Sequence, residues 1–389
     1  MSLWWVSRNQ LDPEQIALIE TLPLRETFLV LGPPGCGKTN VLLRRAQFVR
    51  GQNMPNVLVL TFTRALTEFV RTGCWDAERR EIFPRECVTT IESWVRSLYR
   101  VHNEALPEDP GDLVEWKRCL AGGALECAHR GRMPRYDALF IDEAQDLVQE
   151  EVDLVSSWSE SRFFVGDDRQ KIYGEAEGLS AVRQVVPPEH ERTLRFHYRV
   201  APPICRMADR VLIPHGGDSL ESTCHYNGPD GATVNVLRTP RTRTEQLNDA
   251  AERLKEQVRV YSDYIRDGDR IGIVVARRED RDQVLNHLEQ DSDLRDKAQI
   301  VRARESGEAG YDPAFADDRP ICILTVKGCK GLEFRTVHWL FSDELSHRHE
   351  NEDYYTVVTR AKTRLDIYYT ATLPGVLARA HSEDGTASW

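Results

Sequence analysis

The sequence is poor in the features that assign a chain to several broad classes. No apolar run approaches the roughly 18 residues a membrane-spanning helix needs, so no membrane association is expected. The start, MSLWWVSRNQLDPEQ, lacks the cationic segment and apolar stretch of a secretory leader. The nine cysteines include no CxxC pair, and their odd number does not suggest a disulfide framework. Cys74, Cys87, Cys119 and Cys127 match no iron–sulfur spacing, so small buried thiols in a reducing cytoplasm are the expectation. Excess basic charge is missing too. The net charge of −11 argues against a general nucleic-acid coating role but leaves room for a locally basic groove. Internal repeats and low-complexity tracts are absent. What remains is a globular composition, 41% hydrophobic and 29% charged, in 389 residues, long enough for two domains with separate cores.

Short apolar, β-rich runs recur along the chain: TFLVLG, NVLVLTFT, ALFIDEA, RFFVGD, ATVNVL, RIGIVVA, ICILTV and LDIYYT. Helix-like stretches separate many of them, the pattern of parallel α/β sheets covered on both faces. The proline-bearing QVVPPEHERT, residues 184–193, reads as a hinge between two halves, placed at 1–190 and 191–389. A small helical insert is expected at about 103–135, and 303–319 reads as a polar loop. DELSHRHENED reads as a solvated loop in preference to a histidine metal site.

The strongest chemical signal is FLVLGPPGCGKT. It sets Gly32, Gly35, Cys36, Gly37, Lys38, Thr39 and Asn40 between a strand and a helix, the context a G-x-x-x-x-G-K-T phosphate loop requires. Glycines let backbone N–H groups wrap phosphate oxygens, and the helix N-terminus adds its positive end. Lys38 is expected on the β/γ-phosphates and Thr39 on Mg²⁺. The bland alternative, a glycine turn with a chance lysine, does not account for both flanks. Farther on, ALFIDEAQDL ends a buried strand in Asp142 and Glu143. Such a pair is common at a loop start. Beside a phosphate loop, Asp142 can complete the Mg²⁺ shell and Glu143 can accept a proton from the attacking water. The expected chemistry is in-line hydrolysis of a nucleoside triphosphate, with ATP and Mg²⁺ as the cofactors.

IDEAQD and VGDDRQKIY together resemble superfamily 1 helicases of the UvrD/Rep/PcrA type, and further segments are similar in the same order along nearly the whole chain. The resemblance implies two RecA-like P-loop NTPase domains with the ATP site in the cleft between them. LDPEQ resembles the Q-motif, which gives Gln15 the adenine edge. LTFTRAL and VTTIESW resemble DNA-contacting segments, which implies nucleic-acid contacts for Phe62, Thr63 and Thr90. VGDDRQKIY implies a γ-phosphate sensor in Gln170 and a nucleic-acid contact in Tyr173. FHYRV implies adenine stacking by Tyr198 and a γ-phosphate contact by Arg199. LTVKGCKGLEF implies Glu333 near the nucleotide, with Thr325 and Lys330 toward nucleic acid. YTVVTRAKTRL implies Arg360 as an arginine finger. A lone arginine is usually a surface ion-pair partner; a finger arginine stabilises the transition state by roughly 10³–10⁵ in rate.

The chain also departs from that family. Both large inserted domains are missing from the spacing, leaving nearly a minimal motor core. Glu175 stands where an aromatic usually stacks on a base, worth roughly 1–3 kcal/mol per base. Glu92 and Lys327 replace usual histidines. Trp94 remains a candidate substitute platform. Three readings follow: a cytoplasmic single-strand translocase or weak helicase, on DNA first, working in a repair or phage-defence system; an ATPase switch controlling a partner such as a nuclease; and an RNA-directed motor.

Overall fold

The structure, a computed structural model, describes residues 5, 7–76, 78–130, 135–169, 177–212, 218–238, 242–301, 316, 318–345 and 349–382. The α/β expectation is what it shows: two six-stranded sheets flanked by helices, with every strand pairing parallel. By contacts the chain divides into two compact units, Trp5–Pro33 with Gly37–Arg195, and Pro34–Cys36 with the residues from Phe196 onward.

The first unit contains β1 (Phe28–Leu31), β2 (Val57–Thr61), β3 (Val88–Thr90), β4 (Ala138–Ile141), β5 (Arg162–Gly166) and β6 (Glu191–Thr193), in the order β3-β2-β4-β5-β1-β6. Its helices are α1 (Pro13–Glu20), α2 (Lys38–Gly51), α3 (Arg64–Thr72), α4 (Ile91–His102), α5 (Leu113–Arg130), α6 (Gln149–Trp158) and α7 (Leu179–Val185). β1, β2 and β4 are buried at every position because both faces are covered. On one face, Leu29, Leu60, Ile141 and Phe164 pack against Val95, Leu120, Val155 and Val182 of the later helices. Full burial of such a side chain contributes about 1.5–3 kcal/mol. One long helix, α5, occupies most of the expected insert. β6 pairs with β1, so the first sheet continues past the proline pair, and the division by contacts falls after Arg195.

The second unit contains β7 (Thr233–Arg238), β8 (Ile271–Val275), β9 (Ala298–Ile300), β10 (Ile321–Thr325), β11 (Phe334–Trp339) and β12 (Ala361–Tyr369), in the order β7-β12-β11-β8-β10-β9. Its helices are α8 (Pro202–Val211), α9 (Arg243–Val260), α10 (Ser262–Arg266), α11 (Arg278–Glu289), α12 (Asn351–Val358) and α13 (Gly375–Ser382). Leu247, Leu254, Ile273, Val284, Leu288 and Ile323 form part of its core. Most of 303–319 lies outside the described residues, as does His347 of the histidine loop. No helix among the described residues is long and apolar enough to cross a membrane.

Candidate nucleotide site

In the first unit β1 runs into the glycine loop, and Gly32 N donates to Gly166 O at the end of β5 (3.2 Å). Gly37 takes the left-handed conformation (φ 88°) as it caps α2. A Cβ there would lie 2.8 Å from Gln15 Nε2, so any side chain at Gly37 would be both strained and crowded. Gln15 is aimed by its own helix start. Its backbone N donates to Asp12 Oδ1 (2.8 Å) while Asp12 N donates to Gln15 Oε1 (3.1 Å). That reciprocal cap leaves Nε2 to face the loop. Lys38 Nζ folds back to donate to the carbonyls of Gly32 (2.6 Å) and Pro33 (3.0 Å), and it lies 3.9 Å from Asp167 Oδ2. Cys36 and Asn40 are buried.

Thr39 Oγ1 donates to Asp142 Oδ2 at 2.9 Å. Glu143 has φ 53° and ψ 45°, a left-handed backbone that costs a non-glycine residue about 1–3 kcal/mol. Two bonds oppose that strain locally. Glu143 N donates to Asp142 Oδ1 (2.9 Å), and Gln145 Nε2 donates to Glu143 Oε2 (2.5 Å). Gln145 Oε1 in turn accepts from Asp167 N (3.0 Å), so one amide ties the end of β4 to the end of β5.

The electrostatics of this corner are strained toward negative charge. Burial, then the adjacent Glu143, pushes the Asp142 carboxyl up to about 7, against the Thr39 hydrogen bond. Burial also raises Asp167, with Lys38 pulling the other way. Asp167 Oδ2 is buried and has no hydrogen-bond partner among the described residues. The donor set suits a hard divalent cation. Thr39 Oγ1 and Asp142 Oδ2, in contact at 2.9 Å, are the oxygen donors that would hold such a cation.

The second unit has the opposite imbalance. Arg199 Nη1 lies 3.2 Å from Glu333 Oε2. Burial opposes ionisation of Glu333, but Arg199, then Lys362 and Arg360, hold its carboxyl below the usual range. Lys362 Nζ pairs with Asp269 Oδ1 (2.7 Å), and Arg335 Nη2 with Asp269 Oδ2 (2.5 Å). Burial lowers Lys362 to about 8 in spite of Asp269 and Glu333. Arg360 is buried, with Nε donating to Thr356 O (3.0 Å), Nη1 to Leu332 O (3.0 Å) and Nη2 to Thr359 Oγ1 (3.3 Å). Tyr198 lies beside His225, ring centroids 6.0 Å apart.

The residues expected to touch nucleic acid are scattered. Phe62 lies under Lys117 Nζ, 5.1 Å from the ring centre, and Lys117 is held by Glu151 at 2.9 Å. Thr63 and Thr90 spend their side-chain oxygens capping α3 and α4. Thr325 Oγ1 accepts from Gly328 N (3.2 Å). Lys330 is buried, closed off from a strand in this conformation. Gln170, Tyr173 and Glu175 lie outside the described residues. Trp94 is not a substitute base platform: it is 3% exposed and packs edge-on against Trp158. Its period on α4 places it in the core beneath the sheet. Glu92 pairs with Arg96 one turn on (2.8 Å).

Sequence reasoning missed Gln145 and Lys362. Each stands two residues beyond a residue already singled out, Glu143 and Arg360, but nothing in the spacing says which way its side chain points. Asp167 lies within VGDDRQKIY, where nothing in the spacing sets it apart from Asp168.

Residues 15–176 match the family model described as an AAA domain. The phosphate loop and the Asp142–Glu143 strand end both lie within that matched span. Over 173 residues the chain is 27% identical to F-box DNA helicase 1 of Gallus gallus, covering 42% of this chain and 16% of that relative. The chain therefore spans about a sixth of the curated relative it matches. Among solved structures it is similar to the helicase of PRRSV (TM-score 0.44, 14% identity, 90% of this chain and 55% of that one). It is also similar to the C-terminal domain of a chain described as a possible DNA helicase from Lactobacillus plantarum WCFS1 (TM-score 0.34, 17% identity, 47% of this chain and 93% of that one).

Proposed function

We propose that the chain is an ATP-driven motor of the superfamily 1, UvrD/Rep/PcrA-like type that lacks the large inserted domains and moves on or remodels single-stranded nucleic acid, DNA in the first place. The observation that carries the reading is the Thr39–Asp142 contact beside Lys38, with Glu143 held at the adjoining strand end. In this account Lys38 exchanges its loop carbonyls for the β/γ-phosphates. Glu143 accepts a proton from the water as that water attacks the γ-phosphorus in line. Thr39 and Asp142 would hold Mg²⁺, which when bound would supply positive charge to the phosphate oxygens. Gln15, Tyr198 and Glu333 position the nucleotide, Gln170 senses its γ-phosphate, and Arg199 and Arg360 supply cationic charge to the transition state. Phe62, Thr63, Thr90, Tyr173, Thr325 and Lys330 serve the nucleic acid. A role as a cytoplasmic subunit beside protein partners in DNA repair or phage defence belongs to the same reading.

A specific observation favours a second reading, an ATPase switch without processive movement: Trp94 is in the core and Lys330 is buried, so neither offers a strand a platform. ATPase turnover with no nucleic acid, with single-stranded DNA and with single-stranded RNA separates the readings. Stimulation by DNA of tenfold or more supports the motor. Equal stimulation by RNA supports the RNA-directed alternative, and indifference to both supports the switch.

A further inference from the structure

Outside the nucleotide corner, the second unit gathers three soft donors that no part of the proposed reaction uses. His197, Cys205 and Cys224 bring one ligand atom each to within 4.8 Å of one another. His197 and Cys205 are buried and Cys224 is half-buried, so the cluster opens toward solvent on one side. Its scaffold is fixed by backbone. His197 and Cys224 face each other across a parallel bridge, in which His197 N donates to Thr223 O (3.2 Å) and His225 N donates to His197 O (2.8 Å). Cys205 comes from α8. Both thiols donate to one carbonyl, that of Val200, at 3.4 and 3.3 Å.

We propose that His197, Cys205 and Cys224 form a zinc site, with the fourth position of the tetrahedron taken by water. Two thiolates and an imidazole are the donor set that a borderline-soft, d¹⁰ cation selects over Mg²⁺ or Ca²⁺. Zn–S and Zn–N bonds of about 2.3 and 2.0–2.1 Å require tetrahedral edges of about 3.6 Å between sulfur and nitrogen and about 3.8 Å between the two sulfurs. The Cys205 Sγ to His197 Nε2 distance is 3.8 Å. Nε2 also lies 2.7 Å from Leu220 O. A carbonyl only accepts, so the ring proton sits on Nε2 in the metal-free form. Loading trades that hydrogen bond for a coordination bond, moves the ring proton to Nδ1 and releases one proton from each thiol. The cation gains two thiolates and one neutral imidazole, and no oxidant or reductant is needed. Because His197 directly precedes Tyr198 and Arg199, the ion would fasten the segment that the proposed function assigns to the nucleotide. The binding test does not depend on that assignment.

The site is tested on the full chain, purified under reducing conditions and stripped with chelator, by titration with Zn²⁺ against a chromophoric chelator and with Co²⁺ followed by absorbance. The proposal expects one ion per chain, a thiolate-to-cobalt charge-transfer band with tetrahedral d–d bands, and proton release on loading. Cys224→Ser, at the half-buried position, should weaken Zn²⁺ binding at least a hundredfold, while Cys322→Ser leaves it unchanged. Should Cys205→Ser or His197→Ala fail to fold, the wild-type cobalt spectrum and Cys224→Ser still decide. Stoichiometric binding untouched by Cys224→Ser would overturn the site. So would no binding above the stripped baseline by the fully reduced chain.

Discussion

Around Lys38 the first unit sets Asp142, Glu143 and Asp167, whereas the second sets Arg199, Arg335, Arg360 and Lys362 around Glu333 and Asp269. Each cluster is largely buried, and each is out of balance in the opposite direction. Buried charge of one sign is costly unless something neutralises it. A protein that held both clusters for stability alone would balance each internally. Taken separately, an acid-rich corner is complemented by a divalent cation and a cation-rich one by an anion. The contrast also separates the expected effects of substitution. In the first unit a single ammonium opposes three carboxylates, so its loss is felt at once. In the second, several cations share the load.

The largest effect expected is therefore at Lys38. Lys38→Ala should lower steady-state ATP turnover by at least a thousandfold and weaken nucleotide binding as well. Near-normal hydrolysis would remove the phosphate loop from the account. Next come the second unit's arginines. Arg199→Ala and Arg360→Ala are each expected to lower kcat by about 10²–10³ while changing ATP affinity less than fivefold, since charge placed for the transition state is not used in ground-state binding. Equal losses in both quantities would make them ordinary binding residues and erase the contrast between the clusters.

A smaller, pH-dependent effect sharpens the acidic side. Asp142 is held at about 7 when folded, above its ordinary carboxylate value. The folded chain thus binds a proton that the unfolded chain has already lost. Its contribution to stability is present below the unfolded pKa and is lost as pH rises through about 7. Asp142→Asn should consequently raise the metal-free Tm by a few degrees relative to wild type at pH 8, with the difference shrinking toward pH 4. A difference that grew on acidification would reverse the sign and remove the charge-crowding argument.

Much of this layout was legible. β1, β2, β4, β5, β8 and β10 stand out because a strand buried on both faces is a continuous apolar run, and the glycine loop with Asp142–Glu143 follows two of them directly. β11 did not stand out. Its FRTVHW carries Arg335, Thr336 and His338, all buried, and they are tolerated because Asp269, Gln257 and Tyr368 satisfy them from distant positions. β3, β6 and β9, at three residues each, are too short to carry a pattern. At the site, spacing identified Lys38, Thr39 and Asp142, but it could not reveal the Gln145 bridge or the carbonyl cage around Arg360, which depend on side-chain direction. The metal-ligand cluster was hidden for the same reason: Cys205 and Cys224 share no short spacing with each other or with His197.

The central claim is that the first unit's acidic corner performs the proton transfer, with Glu143 as the base. Single-turnover hydrolysis of ATP by Glu143→Gln, measured beside equilibrium nucleotide binding by the same preparation, tests it most directly. The account predicts ATP affinity within threefold of wild type and a hydrolysis rate at least a hundredfold lower, because the amide keeps the shape but cannot take the proton. A rate within tenfold of wild type, about 1.4 kcal/mol of barrier, would contradict it.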